Sequence, residues 1–208
     1  SLGRGGGGKR GVQFASRYGA TVVIFDPTPR AIEHFRELEG RLGESASVSY
    51  SDGGSQPVES YDLSTIAPGH LHLIPKAISD QSGIVRFFAP KDERHVSHSI
   101  VNFQNSYSTA TPFIEVQAIA VSEVATFFDE SETTVVKMDI EGAEILGLPQ
   151  LLDCGWLPHQ ILVEYDELNF PSKRARRNFD RTHTQILNAG YSLTYWDRRS
   201  CVSYIRKT

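Results

Sequence analysis

Cysteine is scarce in this chain: Cys154 and Cys201 are the only two among 208 residues. Far apart in sequence, they form neither a disulfide framework nor a CxxC-type metal site, and such usage fits a reducing, cytoplasmic setting. A basic excess is also missing. Twenty-one Lys and Arg against 25 Asp and Glu give a formal charge of −4, so nothing in the overall charge attracts nucleic acid or an anionic membrane, and a small-molecule or protein partner is favoured. No stretch approaches the roughly 20 apolar residues of a membrane span, and the first residues lack the basic and apolar regions of a secretory signal. What remains is ordinary globular composition, 39% hydrophobic and 22% charged, which suits one soluble domain with a sizeable core.

The pattern along the chain alternates. After a glycine-rich opening, "VQFASRYGA" suits a short helix and "TVVIF" (21–25) a buried parallel strand ending at Asp26. "PTPRAIEHFRELEGRLG" places Ala31, Phe35, Leu38 and Leu42 at helical spacing, with Thr28 as N-cap, Pro29 at the first helical position and Gly43 near the stop. Residues 44–69, rich in Ser, Gly and Pro, read as a long surface loop with one helical turn, and residues 91–112 as a second long polar segment. Between them "HLHLIPKAIS" and "GIVRFFAP" flank a turn at Ser82 and Gly83. "FIEVQAIA" reads as a strand, "VSEVATFF" as a short helix, "TTVVKMD" as a buried strand, and "EGAEIL" as the start of a helix. "HQILVEYDE" is a further buried strand. The helix after it turns Ala175, Phe179, Ile186 and Leu187 inward and stops at Gly190, and "YSLTYW" and "CVSYIR" close the chain as a hairpin. Strands alternating with helices imply an α/β fold with an open, mostly parallel sheet covered on both faces.

In such sheets ligands bind beyond the carboxyl ends of the strands, where this sequence places Asp26, Asp139, Glu164 and Asp166. The opening "GRGGGGK" fits the phosphate-cradling GxxxxGK pattern, but Arg10 stands where that loop needs a Ser or Thr hydroxyl for Mg²⁺. A nucleotide triphosphatase is therefore disfavoured. Asp26, 23 residues beyond Gly3, is close to the spacing of about 20 at which a dinucleotide-type fold offers a carboxylate to a ribose diol. Only Leu2 lies between Ser1 and the glycines, so a strand that would aim the loop is expected to be missing at the N-terminus.

The stretch "VVKMDIEGAE" resembles the FkbM-type methyltransferases, in which a hydrophobic strand runs into a Lys-x-Asp-x-Glu-Gly-x-Glu block, here Lys137, Asp139, Glu141, Gly142 and Glu144. The likeness extends to "FDPTPRAIEHF", "KAISDQSG", "ILVEYDEL" and "LNAGYSL", nearly the whole chain. It implies a Rossmann-like three-layer sandwich with a C-terminal antiparallel hairpin, and one methyltransferase domain over residues 1–208. S-adenosylmethionine would be the methyl donor and a small-molecule hydroxyl, often on a sugar or another secondary metabolite, the acceptor. Carried over, Gly3 and Gly5 make the turn against the methionine part of the cofactor. Asp26, with Pro27, accepts the ribose diol, Ser79 and Asp80 lie at the adenine edge, and Asp139 faces the sulfonium end and the acceptor.

Methyl transfer needs alignment and one proton acceptor. Asp139, Glu164 and Asp166 are candidates by location and His98 by chemistry, while a carboxylate cluster holding Mg²⁺ is an alternative to the metal-free reading. Acids at Glu141 and Glu144 also have a purely structural explanation, since a first helical turn favours them. Glycine replaces expected acids at Gly6, Gly7 and Gly11. That departure keeps a second class open, a non-catalytic module with a regulatory or assembly role. The basic face of Lys173, Arg174, Arg176, Arg177 and Arg181 reads as solvated, and Tyr191, Tyr195, Trp196 and Tyr204 as packing for the final hairpin.

Overall fold

The computed structural model describes residues 7–49, 57–91, 98–128 and 132–207. The described residues form two compact units, one of residues up to 77 and the other of residues from 78 onward.

In the first unit, α1 (Gly7–Tyr18) starts inside the glycine run and is followed by β1 (Val22–Phe25) and α2 (Pro29–Glu39). Gly11 lets α1 approach the strand, since a Cβ there would lie 3.3 Å from Val22 Cγ1. Thr28 caps α2 as its composition indicates, its Oγ1 accepting from the Ala31 N–H at 3.3 Å, with Pro29 at the first helical position. Parallel to β1 runs β2 (Leu71–Ile74), in the register Val22 to Leu71 through Phe25 to Ile74. The core is Val12, Ala15, Phe35, Leu38, Val58, Tyr61, Leu63, Ile66 and Leu71. Four of these belong to residues 44–69, which read as surface loop. A 3-10 turn at Val58–Ser60 does supply the one helical turn, but the apolar residues at 58, 61, 63 and 66 follow neither a helical nor a strand period, so no pattern announces their burial.

The second unit contains two sheets. Pro75 has no N–H to give a ladder, and "HLHLIPKAIS" accordingly divides into β2 and a separate β3 (Ala77–Ser79). With β4 (Gly83–Phe88) and β5 (Phe113–Ala120), β3 makes a three-stranded sheet in the order β3-β5-β4, and β4 pairs antiparallel to β5. The other sheet has the order β6-β7-β9-β8, from β6 (Val135–Met138), β7 (Gln160–Glu164), β8 (Tyr191–Trp196) and β9 (Cys201–Arg206). Here β6 and β7 are parallel, β7 and β9 antiparallel, and β8 and β9 form the expected C-terminal hairpin. The sheets are thus more mixed than a mostly parallel reading suggests. The chain reverses at Arg198, φ 63°, and β9 inserts between β7 and β8.

Helices α3 (Val121–Val124), α4 (Glu144–Asp153) and α5 (Lys173–Asn188) complete the unit, over a core that includes Leu148, Leu151, Ile161, Tyr165, Phe179, Ile186, Tyr191 and Tyr204. The inward stripe of α5 is Ala175, Phe179, Thr182 and Ile186. Leu187, expected inward, is 38% exposed; it sits one residue, about 100°, around the helix from Ile186, and the buried place falls to Thr182 instead. All five residues of the basic face are exposed, as expected. No helix among the described residues is long and apolar enough to cross a membrane.

Leu148→Ala is expected to cost about 2–5 kcal/mol because Leu148 is fully buried. Leu187→Ala should change stability by less than about 0.5 kcal/mol. Urea denaturation of both variants checks this, and equal losses would contradict the stripe assignment.

Candidate active site

Carboxylates converge at the carboxyl end of β6. The strand delivers Lys137 and then Asp139, whose side chains form an ion pair. Two residues on, the backbone turns left-handed twice, at Glu141 (φ 57°) and Gly142 (φ 93°). Gly142 is required for a second reason: a Cβ would fall 2.7 Å from Phe103 Cδ1, so only a bare Cα admits the ring. After this turn α4 begins at Glu144. Glu144 is 1% exposed, and its Oε1 accepts from the Ile140 N–H at 2.7 Å, fastening the turn to the helix. The helix-dipole explanation thus applies to Glu144, in the first turn, but not to Glu141, which precedes the helix in a conformation few non-glycine residues adopt.

From the end of β7 come Glu164 and then Asp166, which opens a 3-10 turn at Asp166–Asn169. One carboxylate oxygen each from Asp139, Glu141 and Asp166 lies within 4.8 Å of the others. Carboxylates this close cannot all ionise freely. Burial first, then the charges of Glu141, Asp139 and Glu164, push Asp166 up to about 8, while Lys137 partly offsets them. Burial and the charge of Asp166 hold Glu144 well above the usual carboxylate range despite its backbone hydrogen bond. Asp166 Oδ2 is buried with no hydrogen-bond partner. A positively charged centre fits such a donor set, and the same three residues are the described ones that could hold a metal.

Of the expected site residues, the structure gathers Asp139 and Asp166 and places Glu164 within electrostatic reach of Asp166. His98 stacks on Phe87 with ring centroids 5.9 Å apart. Asp26, in the first unit, is 5% exposed at the end of β1, and its Oδ1 accepts from the N–H of Thr28 at 3.0 Å and from its hydroxyl at 2.7 Å. Pro27 is buried beside it. Ser79 is buried at the end of β3 and donates to the exposed Asp80 at 3.0 Å. Gly3 and Gly5 lie outside the described residues.

Glu141 is the member that strand-end reasoning passed over, although its place in the Lys137 to Glu144 block was a visible signal. Phe103 and Gln104 carried none. Gln104 Nε2 donates to Glu141 Oε2 at 3.4 Å, and Phe103 packs edge-to-face on Phe170 with centroids 5.5 Å apart.

The family model described as Methyltransferase FkbM domain matches residues 9–193. No curated protein and no solved structure gives a significant match.

A carboxyl raised to about 8 in the folded chain but near 3.8 when unfolded binds more protons in the native state. It therefore withdraws stability progressively as pH rises from about 4 to about 8. Asp166→Asn is expected to be more stable than the parent at pH 8 by on the order of 1–3 kcal/mol, or about 2–4 °C in Tm per kcal/mol, with the difference vanishing near pH 4. Thermal denaturation across that pH range tests it; a variant less stable at pH 8 would contradict the assigned shift.

Proposed function

The chain belongs to the FkbM family of S-adenosylmethionine-dependent methyltransferases, and from that premise we propose that it methylates a hydroxyl of a small-molecule acceptor, a sugar or another secondary-metabolite-type ring, with Asp166 as proton acceptor. The observation that carries this reading is the half-buried cluster of Asp139, Glu141 and Asp166 at the carboxyl ends of β6 and β7. The match from 9 to 193 takes in residues of both units, which supports reading residues 1–208 as one methyltransferase domain. Strands alternating with helices and the parallel pairs β1–β2 and β6–β7 support a Rossmann-like three-layer arrangement.

S-adenosylmethionine supplies an electrophilic methyl group on a cationic sulfur, so the chain's own residues have to bind, orient and deprotonate. Asp139 and Glu141 surround the transfer position with negative charge, which favours the cationic donor over its neutral product. Asp166 is a stronger base than an exposed carboxylate because its ionised form is disfavoured by burial and by its neighbours. Asp166 would take the proton that the acceptor hydroxyl loses as its oxygen bonds the methyl carbon and the carbon–sulfur bond breaks, leaving a neutral thioether. Glu141, Asp139 and Glu164 keep the Asp166 carboxylate proton-hungry, and Lys137 pairs with Asp139. Phe170, 53% exposed a few residues beyond Asp166, offers an apolar face to a ring-shaped acceptor. For the cofactor's other end the reading assigns Asp26 and Pro27 to the ribose, Ser79 and Asp80 to the adenine edge, and Gly3 and Gly5 to the methionine part.

With Asp166 as base, kcat/KM rises with pH through about 8, the value of the free protein, and kcat rises at lower pH because the bound cationic donor favours the ionised carboxylate. Asp166→Asn lowers kcat by roughly 10²–10⁴-fold while leaving S-adenosylhomocysteine binding within a few-fold. Steady-state kinetics over a panel of hydroxyl acceptors checks both, and an unchanged kcat in Asp166→Asn would remove the assignment.

The ribose assignment has its own test. Asp26→Ala is expected to weaken S-adenosylhomocysteine by roughly tenfold or more in calorimetric titration, the loss of a charge-assisted bidentate contact. Thr28→Ala controls for the hydroxyl contact that Asp26 also accepts, and parent-like binding by Asp26→Ala would reject the role.

A further inference from the structure

Residues 98–112 carry no recognisable motif, yet they are tightly organised. Asn102, 8% exposed, donates through Nδ2 to Ser108 O at 2.8 Å and Thr111 Oγ1 at 3.1 Å, and its Oδ1 accepts from Asn105 Nδ2 at 3.0 Å. Asn105 Nδ2 also reaches Ala89 O at 2.9 Å, and Ser99 bridges to Phe88 of β4. Two consecutive left-handed residues, Ser106 and Tyr107, close the turn, with Tyr107 N–H donating to Asn102 O at 2.9 Å. A buried, hydrogen-bonded asparagine of this kind anchors a loop in one conformation. Beyond the anchor, the next two side chains are Phe103 and Gln104, and both meet the acid turn.

Glu141 needs such help. Its left-handed backbone is unfavourable for a residue with a side chain and persists only when neighbours over-determine it. Phe103 lies on the bare Cα of Gly142, where no Cβ would fit, and is backed by Phe170. Gln104 donates an amide N–H to the Glu141 carboxylate. An amide is uncharged, so it orients Glu141 without cancelling its charge, as a lysine or arginine would.

We propose that Phe103 and Gln104 are positioning residues of the methyltransferase. They hold Glu141 in the carboxylate cluster, so that residues 98–112 set the preference of the site for the sulfonium of S-adenosylmethionine over the neutral sulfur of S-adenosylhomocysteine. This rests on the reading above that the cluster faces the sulfonium. Neither residue touches reacting atoms; each acts through the placement of Glu141. Because donor and product differ in that one charge, the ratio of their affinities reports the charge near the sulfur independently of the acceptor.

The experiment is calorimetric titration of the parent, Phe103→Ala, Gln104→Leu and Glu141→Gln with both S-adenosylmethionine and S-adenosylhomocysteine. Near-parent thermal unfolding serves as the check on folding. Glu141→Gln removes the charge outright and is expected to raise the ratio of the donor's Kd to the product's Kd by about three- to tenfold. Phe103→Ala and Gln104→Leu should raise it in the same direction. A merely structural contribution would weaken both ligands alike and leave the ratio where it was. An unchanged ratio in folded Phe103→Ala and Gln104→Leu, with a shifted ratio in Glu141→Gln, overturns the positioning role and spares the reading beneath it. A ratio unchanged in Glu141→Gln overturns the placement of the cluster at the sulfonium, and this inference with it. Gln104→Leu, which leaves the aromatic packing intact, decides the matter should Phe103→Ala fail to fold.

Discussion

Everything at the candidate site depends on one constraint, the double left-handed turn at Glu141 and Gly142 between β6 and α4. Without it the strand would run directly into the helix, and Glu141 would sit on a helical first turn, the conventional place for an acid. The turn instead sends Glu141 toward Asp139 and Asp166. It is held from three sides, by Glu144 bonding the Ile140 N–H, by Phe103 occupying the space a Cβ would need, and by Gln104. Removing any one leaves a strained backbone with fewer reasons to stay.

The consequence is electrostatic. Several carboxylates share a poorly solvated region, with Lys137 as a partial counterweight, and the cost appears as raised proton affinity at Asp166 and Glu144. A protein selected only for stability has little reason to keep such a group, and the proposed binding of a cation and uptake of a proton would supply one. Strain in the turn and repulsion in the cluster are two expressions of the same compromise between stability and chemistry. The surrounding sheet makes the compromise tolerable. In particular β7 lies between β6 and β9, with Ile161 and Val163 in the core, and leads into the turn that carries the second arm of the cluster.

Much of the fold is legible locally because capping, proline placement and hydrophobic period are local rules. Thr28 and Pro29 mark the start of α2, "TVVIF" and "TTVVKMD" announce β1 and β6, and "YSLTYW" with "CVSYIR" announces the hairpin. The failures have equally physical causes. Leu187 fits an apolar helix face in composition but misses the buried stripe by one residue's rotation, and Thr182 is buried because its hydroxyl bonds back to its own helix. Val58, Tyr61, Leu63 and Ile66 fill the first unit's core from a stretch without periodicity, and tertiary packing alone assigns them there.

By itself the sequence determined the alternation of strands and helices, the acids at strand ends, and the Lys137 to Glu144 block, which lies within the span matched by the family. These are properties of neighbours along the chain. Only the tertiary structure decided that Asp166, on the next strand, meets Asp139 and Glu141, that burial raises its proton affinity, and that residues 98–112 seat Phe103 on Gly142. Proximity between distant segments and the loss of solvent around them arise from packing, and no local spacing encodes either.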